Sequence, residues 1–279
     1  MEKIGLIGLG NIGTYFTDLL LEAGYPLTVY DIDKERMQAA VRKGAKAAES
    51  PGGVTRQSDI ILLALPGSGP VEAVMNGQDG ILNHLRPGQL VIDTGTSRPS
   101  TDIHFERLVR EKGAGFLDAP VTFRKPGLII MVGGEADQFE KGRRVLECLS
   151  YKLKHVGPIG HGQVLKLINQ AILANLLAVY CEAFELSVKH GMDTRLLKDF
   201  LEFDVPDSLY TSDFAGGGHL ALHYKDLLYL LEIAHDSGAN IPISSLVHEI
   251  FKATKPYGDP NWRQPGIVTY WRRLNMTER

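Results

Sequence analysis

An α/β doubly wound sheet followed by an all-α domain is the fold class that three features of the sequence predict. Short apolar runs alternate with helical patterns through the first half of the chain. The run Gly8-Leu9-Gly10-Asn11-Ile12-Gly13 sits between the first such apolar run and the first helical pattern. From 163 to 190 there is neither glycine nor proline, and no strand signal follows residue 160. Strands separated by helical crossovers pair in parallel and are covered on both faces, which is why they read as continuous apolar runs rather than alternating ones. With 279 residues against roughly 150 per domain, two domains are expected, at 1–161 and 162–279.

In chain order, buried strands are predicted at 4–8, 27–31, 60–65, 90–93 and 115–118. The first helix, 12–23, is closed by Gly24. After Asp118 a strand at 129–132, a helix at 137–149 and a strand at 155–156 extend the edge of the same sheet. A helix through 163–190 would span roughly 42 Å, and its apolar residues cover much of its circumference. Such a helix is expected to be buried between domains or subunits. Helices are also predicted at 194–203, 223–237 and 244–253, while the tail 255–279, with three prolines, is left unspecified. Gly216-Gly217-Gly218 marks a loop ahead of a helix, part of a closing lid.

Composition removes several classes of function. Thirty Lys+Arg against 33 Asp+Glu, a net charge of −3 and a pI near 6.3 give no basic excess to grip nucleic-acid phosphates. Apolar residues at 44% and charged ones at 23% exclude a largely disordered chain. Cys148 and Cys181 lack the spacing of a disulfide framework or a zinc cluster. No uninterrupted apolar run approaches the ~20 residues of a membrane helix, so no membrane partner is expected. The first strand begins at Lys3, which leaves no room for a targeting segment and makes the cytoplasm the expected location.

Gly8–Gly13 is a G-x-G-x-x-G that follows a strand and opens a helix, the Rossmann-type context in which it carries meaning. Its glycines permit a tight turn and let the backbone approach a pyrophosphate, which then sits on unpaired N–H groups at the helix start; Gly8, Leu9, Gly10, Asn11, Ile12 and Gly13 are the cofactor-binding candidates here. Asp31 ends the second strand, where its carboxylate accepts hydrogen bonds from an adenosine ribose and repels a 2′-phosphate. NAD is therefore the expected cofactor; Lys34 and Arg36 nearby leave NADP open. Loops after two further strands, at Leu65-Pro66 and around Thr96, line the same crevice. In the run 157–170, Lys166 and Asn169 are three apart and share a helix face. An amine partly desolvated there would have its pKa lowered toward the working range of a general acid–base for a carbonyl oxygen. His219 and His223 have the i, i+4 spacing of a metal pair but no third ligand, and no metal is expected.

These motifs, in this order, resemble the β-hydroxyacid dehydrogenase family, which includes 3-hydroxyisobutyrate dehydrogenases and semialdehyde reductases. The resemblance covers nearly the whole chain: Gly8–Gly13, Leu65-Pro66, Thr96, Asp118-Ala119-Pro120-Val121, Ile130-Met131-Val132-Gly133-Gly134, Gly160-x-Gly162-x-x-x-Lys166-x-x-Asn169 and Lys225-Asp226-Leu227. It implies that Lys166 is the catalytic acid–base and that Asn169 helps to hold the substrate. It also implies that Leu65, Pro66, Thr96 and Lys225 contact the cofactor. The implied reaction interconverts a small 3-hydroxy acid and its semialdehyde with NAD(P), in a homodimer or homotetramer. One departure stands out. Where the family continues Asp-Ala-Pro-Val with Ser-Gly-Gly, this chain has Thr122-Phe123-Arg124-Lys125-Pro126 in a loop about four residues shorter. Thr122 keeps a hydroxyl, and Arg124 is either a solvated charge or a bidentate clamp for an anionic substrate. An imine reductase, and a silent NAD(H)-binding protein of the same fold, are the alternative functions.

Overall fold

The computed structural model describes residues 1–216, 218–256 and 258–277. Their contacts divide the chain into two compact units, Met1–Lys166 and Leu167–Arg279.

The first unit is built on a nine-stranded sheet. In chain order it comprises β1 (Ile4–Ile7), α1 (Asn11–Glu22), β2 (Leu27–Tyr30), α2 (Lys34–Arg42), β3 (Lys46–Ala47), α3 (Pro51–Gln57), β4 (Ile60–Leu63) and α4 (Ser68–Asn76). Then follow β5 (Leu90–Asp93), α5 (Pro99–Glu111), β6 (Gly115–Asp118), β7 (Val121–Arg124), β8 (Gly127–Gly133), α6 (Ala136–Leu149) and β9 (Lys152–Gly157). The strand order is β3-β2-β1-β4-β5-β6-β8-β7, with β9 pairing β8, and β1 to β6 are all parallel. Side chains alternate between the faces of this sheet. Ile4, Leu6, Ile60, Leu62, Leu90 and Ile92 pack with Phe16 and Leu20 of α1 and Val145 and Leu146 of α6. Ile7, Ile61, Leu63 and Val91 pack on the other face with Val71 of α4 and Phe105 and Val109 of α5. Every residue of β1, β4, β5 and β6 is buried, which is the reason these segments read as unbroken apolar runs.

The segment after Asp118 departs from the sequence reading. Residues 121–124, expected as a loop, form β7 and pair with β8 as an antiparallel hairpin around Lys125-Pro126. The register is continuous with β6: Asp118 opposes Gly133 and Val121 opposes Ile130, so β6 and β7 share one edge of β8 across Ala119-Pro120. β9 pairs parallel with the other edge. Thr122 is buried, Phe123 exposed and Arg124 half-buried, the alternation of a strand with one covered face.

The 29-residue helix α7 (His161–Lys189) begins in the first unit and supplies the core of the second. Its most apolar 18-residue window has a mean hydropathy of 1.6, enough by length and composition to cross a membrane. It serves as a core helix. Leu167, Ala174, Leu177, Ala178, Cys181 and Phe184 are buried among residues of α10 (Leu220–Ser237), α11 (Pro242–Thr254) and α12 (Val268–Asn275). The short helices α8 (Leu196–Asp199) and α9 (Asp207–Thr211) lie between α7 and α10. The helix expected over 194–203 is thus one turn. Phe200, Leu201 and Phe203 are exposed and Glu202 is left-handed (φ 59°), so no buried face extends it. Of the glycine triplet, Gly217 lies outside the described residues, and bridges Ala215–Trp262 and His219–Arg263 flank it. The tail left unspecified by the sequence contains α12.

Candidate active site

Three loops leave the carboxyl ends of β1, β4 and β5, on either side of the point where the sheet order reverses, which is where open α/β sheets bind ligands. The first is 8–13. Gly8 is left-handed (φ 96°), and a Cβ on Gly13 would stand 1.9 Å from the Gly8 carbonyl, so the turn and the helix behind it close only with glycine at both. A Cβ on Gly10 would meet only Arg36 Nη1, at 3.9 Å, and as the N-cap of α1 Gly10 supplies no side chain to the first N–H groups of the helix. These groups are available to an anion, the cradle that a dinucleotide pyrophosphate fits. Asn11 is exposed and Ile12 half-buried beside this cradle.

Asp31 ties the cradle to the second strand. Its Oδ2 accepts the Leu9 N–H (2.5 Å) and its Oδ1 accepts the Asp33 N–H (2.8 Å). A carboxylate offers about four lone-pair sites, so this leaves acceptor capacity for ribose hydroxyls. Arg36 is held by Asp33 at 3.2 Å. The second and third loops are joined: the Arg98 N–H donates to Ser68 Oγ (2.8 Å), and Thr94 Oγ1 donates to the Leu63 carbonyl (2.7 Å). Pro66 is exposed, and Leu65 and Thr96 are half-buried, at the loop surfaces.

Lys166 stands one turn beyond the start of α7 and is 7% exposed. That start is held by Asp118, whose Oδ1 accepts the Gly160 N–H and whose Oδ2 accepts the Gln163 N–H, both at 2.7 Å. Burial holds the Asp118 carboxyl up at about 6, against the pull of the two N–H groups, which favour its ionised form. The Gln163 side chain reaches back to the third loop, accepting the Ser97 N–H (3.1 Å) and donating to the Gly95 carbonyl (3.1 Å). Sequence reading passed over Gln163 and gave Asp118 no role beyond its motif. The one available signal was the position of Asp118 at the end of a buried strand.

In the second unit, the residues expected to hold substrate and cofactor form a chain of polar contacts. Asn169 Nδ2 donates to Gln170 Oε1 (3.1 Å), and Gln170 Nε2 donates to Asp226 Oδ2 (2.7 Å). Lys225 pairs with Asp226 at 3.1 Å and lies 4.9 Å over the Tyr229 ring. His223 is buried and donates from Nε2 to the Gln170 carbonyl (3.2 Å), while His219 is the N-cap residue of α10. On the hairpin of the first unit, Arg124 donates from one guanidinium nitrogen to the Phe123 carbonyl (3.1 Å).

Fold and cradle together define a Rossmann-type NAD(P)-binding protein with an all-helical C-terminal region. Residues 3–157 match the NAD-binding domain of 6-phosphogluconate dehydrogenase, and residues 160–271 match the NAD-binding domain of NADP-dependent 3-hydroxyisobutyrate dehydrogenase. The chain is 31% identical to the 2-(hydroxymethyl)glutarate dehydrogenase of Eubacterium barkeri, over 98% of this chain and 95% of that one. It is 32% identical to the NAD-dependent L-serine dehydrogenase of Pseudomonas aeruginosa, over 90% and 92%. Among solved structures, Mycobacterium tuberculosis 3-hydroxyisobutyrate dehydrogenase with L-serine superposes with a TM-score of 0.87 at 25% identity, covering 98% of this chain and 99% of that one. The chain belongs to the β-hydroxyacid dehydrogenase family of NAD(P)-dependent oxidoreductases.

Proposed function

We propose that this chain is an NAD(H)-dependent dehydrogenase of a small 3-hydroxy carboxylate, run in either direction with the matching semialdehyde, and that Lys166 is its general acid–base. The observation that carries this reading is a nearly buried lysine on a helix start tied to the loop that follows β5 and to the last residue of β6. 2-(Hydroxymethyl)glutarate, L-serine and 3-hydroxyisobutyrate all carry a primary alcohol on the carbon β to a carboxylate, and that shared unit is the substrate class assigned here.

Residues 8–13, Asp31, Leu65, Pro66, Thr96 and Lys225 hold the cofactor. When bound, the nicotinamide supplies the two-electron acceptor or donor. In the oxidising direction the Lys166 amine takes the hydroxyl proton as the O–H bond breaks; in the reducing direction the ammonium returns it to the carbonyl oxygen. Thr122 and Asn169 orient the substrate by hydrogen bonds, and the Arg124 guanidinium binds its carboxylate.

Assay of short hydroxy acids and semialdehydes, with NAD and NADP in parallel, tests the reading through the absorbance of reduced nicotinamide. Turnover of at least one 3-hydroxy acid, with NAD preferred, is expected. Tight NADH binding with no turnover across the panel would leave a silent cofactor-binding protein instead. Leu165, Ile168, Ile172, Leu176, Val179 and Leu186 form an exposed apolar stripe along α7, so sedimentation velocity is expected to return a dimer or tetramer. A stable monomer would contradict that expectation.

Asp118 gives a pH prediction with two opposite signs. Below about 6 its carboxyl takes a proton and one of its oxygens ceases to accept, which loosens the turn that carries Lys166. Turnover is therefore expected to show an acid limb near pH 6. Stability moves the other way. The folded value lies above the ~3.9 of an unfolded aspartate, so this group's contribution is full below ~3.9 and is lost as pH rises through about 6. Paired pH–rate profiles and thermal melts of wild type and Asp118→Asn check both: the melting-temperature difference should shift in favour of wild type as the acid limb sets in.

A further inference from the structure

Three buried carboxyls meet beneath the loop that follows β5. Asp93 ends β5, where its Oδ1 accepts the Gly95 N–H (2.9 Å) and its Oδ2 accepts the Ser97 hydroxyl (2.6 Å). Asp118 is its direct partner in register on β6 and is satisfied by the two N–H groups of the α7 start. Asp102 lies in the first turn of α5 and is fully buried; its Oδ2 accepts from Gln163 Nε2 at 2.9 Å, while its Oδ1 is buried with no donor.

The hydrogen bonds identify which acid carries a proton. The Gln163 amide is fixed in orientation: its oxygen accepts the Ser97 N–H, and its two N–H groups go to the Gly95 carbonyl and Asp102 Oδ2. Flipping the amide would set donor against donor and acceptor against acceptor. Asp102 Oδ2 therefore acts as an acceptor, and Oδ1, which no donor serves, is the hydroxyl of a neutral acid with the Asp93 carboxylate in side-chain hydrogen-bonding reach as its acceptor. As a bare anionic oxygen, Oδ1 would be a buried charge without a donor beside two other acids. Burial, then the charges of Asp93 and Asp118, push the Asp102 carboxyl well above the usual carboxylate range, in the same sense. The other charged or titratable groups within five residues of Asp102 or Gln163 on these elements are Arg98 at the N-cap of α5, His104, Glu106 and Arg107 on α5, and His161 and Lys166 on α7.

We propose that Asp102, as the neutral acid, is a positioning residue for Lys166. It fixes the Gln163 amide, which registers the 94–98 loop against the first turn of α7 and so sets where the amine three residues further along stands. This rests on Lys166 being the general acid–base. The neutral form matters because ionisation would place a third negative charge in the patch and pull the loop and helix start out of register.

Asp102→Asn and Asp102→Ala test the proposal. Asparagine keeps a C=O toward Gln163 and places an N–H donor where the acid has its hydroxyl. An infrared difference spectrum of wild type minus Asp102→Asn at neutral pH should show the C=O stretch of a protonated carboxylic acid, which carboxylates lack. Asp102→Asn should keep most of the wild-type kcat. Asp102→Ala should lose ~10–100-fold in kcat, the scale of a misplaced reacting group, with KM and NADH affinity changed far less. Absence of the acid band overturns the assignment of the proton. Equal kcat in the two variants, or a parallel loss of NADH affinity, overturns the positioning role. A wild-type protein inert toward every 3-hydroxy acid instead overturns the Lys166 reading, and the infrared band still decides whether Asp102 carries the proton.

Discussion

Replacing Lys166 with alanine should cut turnover by ~100-fold or more, the low end for removal of a general acid–base, and leave NADH affinity little changed. The split follows from position. Lys166 belongs to α7, whereas the groups assigned to the pyrophosphate and adenosine lie on the 8–13 loop and at Asp31. Lys166→Arg separates charge from proton transfer. A guanidinium keeps the positive charge but does not release a proton in the working pH range, so this variant should be as inactive as alanine. Steady-state kinetics beside NADH fluorescence titrations measure both quantities. Near-normal kcat in either variant would remove Lys166 from the mechanism.

The largest expected effect on stability lies in the helical unit. Arg272, on α12, donates from Nε to Glu185 Oε1 (3.0 Å), from Nη1 to Ser212 Oγ (2.9 Å) and from Nη2 to the Leu209 carbonyl (3.0 Å). Glu185 is 1% exposed, and its other oxygen accepts the Thr277 hydroxyl (2.5 Å). Arg272→Ala strands that carboxylate in the core, which costs about 3–5 kcal/mol. The melting temperature is expected to fall by roughly 10 °C. The pair Arg272→Met with Glu185→Leu should recover most of the loss, because it removes the uncompensated charge along with its partner. Thermal melts of the single and double variants decide the matter: a double variant as unstable as the single would show that packing of the arginine stem, rather than the buried charge, holds α12 in place.

The parallel core of the sheet was legible because β1, β4, β5 and β6 are buried throughout and β2 nearly so, whereas the two-residue β3, exposed at the sheet edge, leaves no apolar run to read. The long helix was legible because nothing in 163–190 interrupts it. The hairpin β7–β8 was not, since Val121-Thr122-Phe123-Arg124 offers only four alternating residues and the motif ahead of it resembles one that opens a loop. The helix expected at 194–203 failed for the opposite reason: its apolar residues suit a helix face, but the fold gives most of them nothing to pack against. α12 went unseen because its partners lie far away in sequence, Glu185 being 87 residues from Arg272.

The sequence by itself determined the glycine cradle, the acid that ends the second strand, and the lysine and asparagine one turn apart on an apolar helix. All of these are local patterns, written in residues a few positions apart, where backbone geometry links them directly. Only the tertiary structure decided what holds the lysine in place: Asp118 reaches 42 residues forward to Gly160, and Gln163 reaches 66 residues back to Ser97 and 61 back to Asp102. Such contacts leave no periodic trace, because a buried polar group is selected for the hydrogen bond it completes across the fold and not for its place in a strand or helix repeat.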